Sequence, residues 1–255
     1  MMKYMILTAV MFFTSFLYGC VHKTKPKIPI QEFAQTVIKQ AKPIQLPPVI
    51  IKTPIPFKKQ AVEKMVVMLD AGHGGEDFGT HSLGNPKYQE KFLNLSTTLL
   101  VKNFLQQFGF EVMMTRTDDT FISLEERSIL ANKMKPKIFV SIHFNSAPSE
   151  DAEGIEVFYY RNDDNKIRVS KSKALAQFIL DKTIQNTEAK SRGVKHGNYS
   201  VIRETQIPAV LIEGGFLTST SEMEKIKNGN YLKSLALGIA QGIQEYLAKE
   251  NLLAD

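Results

Sequence analysis

The chain has 255 residues, 43% of them hydrophobic, with 15 Gly, 11 Pro and a single Cys. That is enough apolar matter to bury a sizeable core. It excludes a collagen-like or wholly disordered chain, and the lone Cys20 excludes an internal disulfide or a multi-cysteine zinc or iron–sulfur site. The formal charge of +6 is uneven: residues 1–65 carry ten Lys against Glu32 and Glu63, a surplus of +8, which leaves −2 for 66–255. Nucleic acid is therefore not an expected partner of the folded part, and any resident metal must be held by His, Asp or Glu.

Met1 to Tyr18 has the form of a secretory signal: Lys3, a mostly apolar run from Met5 to Leu17, then small residues ahead of Cys20. The run is short for a membrane span of about 20 residues. Leu17-Tyr18-Gly19-Cys20 resembles a bacterial lipobox, whose cysteine becomes the lipidated first residue of the mature chain. Residues 1–20 are thus expected to be a lipoprotein signal peptide, with Cys20 as the membrane attachment. Val21, rather than Asp, after the cysteine is compatible with sorting to an outer membrane where the source has one.

Residues 21–65 hold seven of the eleven prolines and no Gly, a composition that favours extended chain over a compact core. This segment is expected to be a tether; at about 3.1 Å per residue it reaches about 140 Å at most. The folded domain is then 66–255.

Within that domain Val66 to Leu69 reads as a buried strand running into Asp70-Ala71-Gly72-His73-Gly74-Gly75. A polar loop with Pro86 follows, then helical periodicity from Glu90 to Phe108, stopped at Gly109. Phe110 to Thr115 is a strand, and Ser123 with Glu126 forms a capping box that opens a helix to about Met134. Lys137 to Ile142 and Gly154 to Tyr160 are further strands, separated by polar residues. A helix is expected from Ser170 to about Asn186, a short strand from Tyr199 to Ile202, and an apolar strand from Pro208 to Ile212. Ser219 with Glu222 suggests a second capping box, and Tyr231 to Ala248 a long final helix. Strands alternating with helices predict an α/β sandwich: a mostly parallel or mixed central sheet with helices on both faces.

Three strands end in a polar side chain set among small residues, at Asp70 to His73, at His143 and at Glu213. In an open α/β sheet ligands bind beyond the carboxyl ends of the strands, so these side chains can converge on one crevice. A hydrolytic zinc site needs three protein ligands and an open fourth position, and two His with one carboxylate is a common set. His73 and His143 supply the imidazoles. Spacing alone does not separate Glu90 from Asp70, Glu76 or Asp77 as the third ligand. Gly72 to Gly75 lacks the Gly-Lys-Ser/Thr ending of a phosphate-binding loop.

Six ordered stretches carry a resemblance: Val-Met-Leu-Asp-Ala-Gly-His-Gly-Gly (67–75), Tyr-Gln-Glu-Lys (88–91), Thr-Arg-Thr-Asp-Asp-Thr-Phe-Ile-Ser-Leu-Glu-Glu-Arg (115–127), Ser-Ile-His-Phe-Asn-Ser-Ala (141–147), Arg-Gly-Val-Lys (192–195) and Pro-Ala-Val-Leu-Ile-Glu-Gly-Gly-Phe-Leu (208–217). They resemble the zinc-dependent type 3 N-acetylmuramoyl-L-alanine amidases over essentially all of 66–245. The resemblance implies the zinc-amidase, phosphorylase-like sandwich, with Zn2+ bound by His73, Glu90 and His143 and Glu213 as the catalytic carboxylate. It implies peptidoglycan as substrate, cut between the lactyl group of N-acetylmuramic acid and the L-alanine of the stem peptide.

Asp70 is expected either to orient an imidazole or to cap its strand. Arg116 and Arg127 are expected to bridge loop carboxylates such as Asp118, Asn145 and Asn198 to contact substrate, and His196 to be exposed. Some members of the family carry an inserted helix that plugs the zinc site. Here residues 161–191 have room for one ordinary packing helix, so no plug is expected. A monomer on the periplasmic side of the cell envelope, remodelling the wall or separating daughter cells without a C-terminal wall-binding module, is the resulting picture. The rivals are a non-catalytic peptidoglycan-binding lipoprotein of the same fold and a different zinc hydrolase acting on the same polymer.

Overall fold

The computed structural model describes residues 65–161 and 164–252. The expected signal peptide, Cys20 and nearly all of the expected tether lie outside the described residues. Among the described residues no helix is long and apolar enough to cross a membrane.

Six strands form one sheet: β1 Val66–Ala71, β2 Glu111–Met114, β3 Ile138–Asn145, β4 Ile155–Tyr159, β5 Ser191–His196 and β6 Ala209–Phe216. Their order is β2-β1-β3-β6-β4-β5, with every neighbouring pair parallel except β4 and β6. The helices are α1 Glu90–Gln107, α2 Leu124–Met134, α3 Lys166–Thr187, α4 Ser200–Arg203, α5 Thr220–Ile226 and α6 Gly229–Leu252. The α/β class with helices on both faces is as the sequence predicts.

The central strands read as unbroken apolar runs because both of their faces are covered. The pleat still sorts their side chains alternately. Val67, Leu69, Val140, Ile142, Val210 and Ile212 join the larger core with Leu100, Leu175, Ile179, Leu235 and Ile239 from α1, α3 and α6. Met68, Phe139 and Leu211 point the other way, into a smaller core with Ala131, Val201 and Ile202. Counting in twos along the second face leads from Met68 to Asp70, from Phe139 through Ser141 to His143, and from Leu211 to Glu213. The polar strand endings therefore sit above the smaller core, on one face.

The Ser123 capping box forms: the Glu126 N–H donates to Ser123 Oγ and the Ser123 N–H donates to Glu126 Oε2 at 2.9 Å. The second expected box does not form. Ser219 makes no side-chain cap, and Glu222 is buried, accepting the Gly154 N–H at 3.0 Å and the Phe216 N–H at 2.8 Å. Two otherwise orphaned strand-end amides outcompete the helix cap for that carboxylate. The stretch expected as a strand at 199–202 is instead the single turn α4, and the edge strand lies earlier, at β5. Its Ser-Arg-Gly-Val-Lys-His sequence is too polar to show a strand pattern, whereas Tyr-Ser-Val-Ile imitates one.

Helix α3 fills residues 166–187 and packs on α6 and β4, with Leu175, Ala176 and Ile179 fully buried and Lys182 Nζ 2.6 Å from Glu245. It is a packing helix on the face opposite the polar strand endings.

Candidate active site

His73, Glu90 and His143 arrive from three different elements and meet. His73 follows β1 in a left-handed conformation, φ 60°, which is costly for a residue with a Cβ. Two contacts hold it there: Arg127 Nη2 donates to the His73 carbonyl at 2.8 Å, and Asp77 Oδ2 lies 2.7 Å from His73 Nδ1. With Nδ1 engaged by the Asp77 carboxylate, Nε2 is the ring nitrogen that faces Glu90, 3.2 Å away. His143 comes from β3, and its Nδ1 is 2.9 Å from the other Glu90 oxygen. A Cβ on Gly72 would lie 2.1 Å from His143 Nε2, so the far end of that ring packs against bare backbone and Nδ1 faces the cluster.

Glu90 is the first residue of α1, where the helix dipole favours an anion. Its Oε2 accepts the Thr80 N–H at 2.9 Å and its Oε1 accepts Asn94 Nδ2 at 3.1 Å. Burial would raise its carboxyl pKa, but the two imidazoles more than offset this and draw it well below the ordinary carboxylate range. The same contacts act in reverse on His73: burial lowers its pKa, and Glu90 and Asp77 raise it overall. A Cβ on Gly79 would come within 2.5 Å of Glu90 Oε2, which explains the glycine there.

One donor atom from each of the three side chains lies within 4.8 Å of the others. Two imidazole nitrogens and a carboxylate oxygen, converging at this spacing with one side open, suit a divalent cation of the zinc type. The open side is a cleft of about 430 Å³ bordered by His73, Glu90, His143, Asn145, Tyr199 and Glu213. Across β3 and β6 His143 and Glu213 are register partners. Glu213 is 8% exposed, and its Oε2 is buried with no hydrogen-bond partner among the described residues. Burial first, then the neighbouring charges of Glu90 and Glu156, push its carboxyl well above the usual range. An unpartnered buried carboxylate oxygen is expensive unless something else is meant to occupy the space beside it.

Asp70 does not touch an imidazole. It accepts Thr115 Oγ1 and Arg127 Nη1, each at 2.7 Å, and Ser141 Oγ at 2.6 Å. Its influence on His73 passes through Arg127, which also donates to the Ala71 and His73 carbonyls. Arg116 holds backbone rather than loop carboxylates, donating to the carbonyls of Ala71, Gly72, Lys91 and Asp118 at 2.8 Å. Arg116 thereby ties the end of β1 and Gly72 to the first turn of α1 and to the Asp118 loop. The imidazole orienter is Asp77, one of the carboxylates that spacing could not separate.

Asn145 borders the cleft and donates to Glu156 Oε1 at 2.8 Å. Glu156, buried and paired in register with Glu213, also accepts Arg192 Nε at 2.9 Å and Lys195 Nζ at 2.5 Å. The Arg-Gly-Val-Lys stretch thus neutralises a second buried carboxylate beside Glu213. Asn198 lies on the exposed side of the next turn, its Oδ1 accepting Arg203 Nη1 at 2.9 Å, and it is not among the cleft's bordering residues. Its neighbour Tyr199 is. His196 is exposed and its Nδ1 accepts the Arg161 N–H.

Comparison with known proteins places this geometry in a family. Residues 67–245 match the family described as N-acetylmuramoyl-L-alanine amidase. The fold superposes on the N-acetylmuramoyl-L-alanine amidase from Clostridium difficile 630 with a TM-score of 0.68 at 40% identity, covering 73% of this chain and 98% of that one. The catalytic domain of CwlV, the amidase from Bacillus (Paenibacillus) polymyxa var. colistinus, gives a TM-score of 0.67 at 40% identity, with 72% and 98% covered. The probable cell wall amidase LytH of Staphylococcus aureus is 36% identical over 192 residues, which span 75% of this chain and 61% of LytH. The chain belongs to the N-acetylmuramoyl-L-alanine amidase family, enzymes that hydrolyse the peptidoglycan of the cell wall.

Proposed function

We propose that this amidase acts through a zinc ion held by His73, Glu90 and His143, with Glu213 as its general base. The observation that carries this reading is the facing pair of features in one cleft: three donor atoms within 4.8 Å of one another, and an unpartnered Glu213 oxygen. When bound, the ion supplies a Lewis acid that polarises the scissile carbonyl and lowers the pKa of water toward about 7.

The chain's own residues do the rest. Asp77 holds the Nδ1 side of His73, and Gly72 seats the Nε2 end of His143, so that one nitrogen of each ring is left for the cation. Asp70, Arg127 and Arg116 fix the backbone between β1 and His73. Glu213 Oε2 takes a proton from the attacking water and returns it to the departing alanine nitrogen. The bond cut is the amide between the lactyl group of N-acetylmuramic acid and L-alanine. Asn145, locked by Glu156, contacts the substrate at the cleft wall, and Asn198 touches longer glycan or peptide further out.

In this reading Cys20 is lipidated after removal of the signal peptide. Residues 21–65 then tether the domain 66–255, a monomer, to the periplasmic side of the envelope, at the outer membrane where there is one. Because α3 packs on α6, the domain needs no partner to open its cleft. Metal analysis tests the assignment: the purified full chain is expected to hold a single zinc ion, lost in His73→Ala and His143→Ala and retained in Glu213→Gln. Zinc retention after both histidine changes would place the metal elsewhere.

A further inference from the structure

Tyr199 is the cleft residue that the function above leaves without work. Its ring is held edge-on against Phe158, with centroids 5.1 Å apart at 67°. Gly197 leaves the space for it, since a Cβ there would come within 2.6 Å of Tyr199 Cε2. Its carbonyl accepts the Ile202 and Arg203 N–H groups, closing the turn and fixing where the side chain starts. Such a ring is pre-positioned, and a substrate contact made by it costs little ordering entropy.

The side chain borders the same cleft as His73, Glu90, His143 and Glu213, and it is 38% exposed. No hydrogen bond to its hydroxyl is made among the described residues, so the donor is free for a ligand in the cleft. Burial first, then the charges of Glu213 and Glu156, raise its phenol pKa, so it stays protonated at neutral pH. Tyr199 and Glu213 border the same cleft. Asn145, another polar side chain bordering the cleft, already bonds Glu156 through Nδ2 and the Ser146 N–H through Oδ1.

Resting on the amidase reading, we propose that the Tyr199 hydroxyl donates a hydrogen bond to the carbonyl oxygen of the scissile amide as that oxygen gains negative charge. No bond to Tyr199 forms or breaks, and its proton stays on the phenol. A fixed donor aimed at developing charge acts on the transition state more than on the ground state.

The test is steady-state kinetics of the zinc-loaded full chain on a soluble muramoyl peptide, comparing wild type, Tyr199→Phe, Tyr199→Leu and Glu213→Gln. Tyr199→Phe keeps the packing on Phe158 and removes only the donor. Its kcat is expected to fall about a hundredfold, with KM, zinc content and melting temperature unchanged. Tyr199→Leu should lose the same kcat and also some thermal stability. A Tyr199→Phe enzyme with wild-type kcat, or one that changes KM alone, overturns the proposal. A wild-type chain that releases no stem peptide overturns both this inference and the amidase mechanism. Wild-type turnover by Glu213→Gln with an impaired Tyr199→Phe removes the carboxylate from its role and leaves the tyrosine in place.

Discussion

Asp70 and Glu213 are each a buried carboxylate in the carboxyl-terminal half of a central strand, on the same face of the sheet, and they live in opposite surroundings. Both Asp70 oxygens are taken, by Thr115, Arg127 and Ser141. Burial alone would raise its pKa, but the Arg127 guanidinium and the hydroxyl donors hold it below the ordinary value. Glu213 has the same burial and no cation of its own, so its carboxyl is pushed up and one oxygen is left bare. A buried acid whose bonds are complete is part of the frame; one whose bonds are incomplete is waiting for a ligand or a proton.

The contrast can be broken from either side. The largest effect is expected from removing the metal: chelation, or His143→Ala, should abolish stem-peptide release, measured as new amino termini. Glu213→Gln keeps size and burial but cannot accept a proton. It should lower kcat about a thousandfold while leaving zinc content and thermal unfolding at wild-type values.

Asp70→Asn should do the converse. Breaking a buried ion pair while leaving Arg127 charged costs about 3–5 kcal/mol of stability, read by denaturant titration at neutral pH. The sign with pH follows from the lowered folded-state pKa. Asp70 contributes stability above its unfolded value of about 3.9, and that contribution drains away as pH falls through the folded value below it. The wild type's advantage over Asp70→Asn should therefore begin to shrink below about pH 4 and vanish only once pH has fallen below the folded value. An advantage that does not shrink at all below about pH 4 would mean the ion pair is not its source.

Ser123→Ala removes one cap bond at the start of α2. It should cost about 1 kcal/mol with no change in kcat.

The sheet and the convergence of His73, His143 and Glu213 on one cleft were legible in the sequence for a physical reason. Strands buried on both faces must be apolar throughout, and a ligand site at their ends must break that pattern abruptly, as at Asp70, His143 and Glu213. Which carboxylate does what was not legible, because Asp70, Glu76, Asp77 and Glu90 differ by loop geometry that no periodicity records. The path of the chain between β1 and α1 brings Asp77 to one side of His73 and Glu90 to the other. Tyr199 was missed for a related reason. Tyr-Ser-Val-Ile has strand composition, and only the turn it forms carries the ring to the cleft while Asn198 stays outside. Glu222 shows the same limit: the Ser-x-x-Glu spacing was present, but a tertiary demand from Gly154 and Phe216 took the carboxylate.

The most direct test of the central claim is digestion of purified peptidoglycan by the full chain with zinc, with chelator, and as Glu213→Gln, reading the products by mass. The account predicts free stem peptides beginning with L-alanine and a glycan that keeps its N-acetyl groups, both lost in the two controls. Intact muropeptides from a zinc-loaded wild type, or the same products in the presence of chelator, would contradict it.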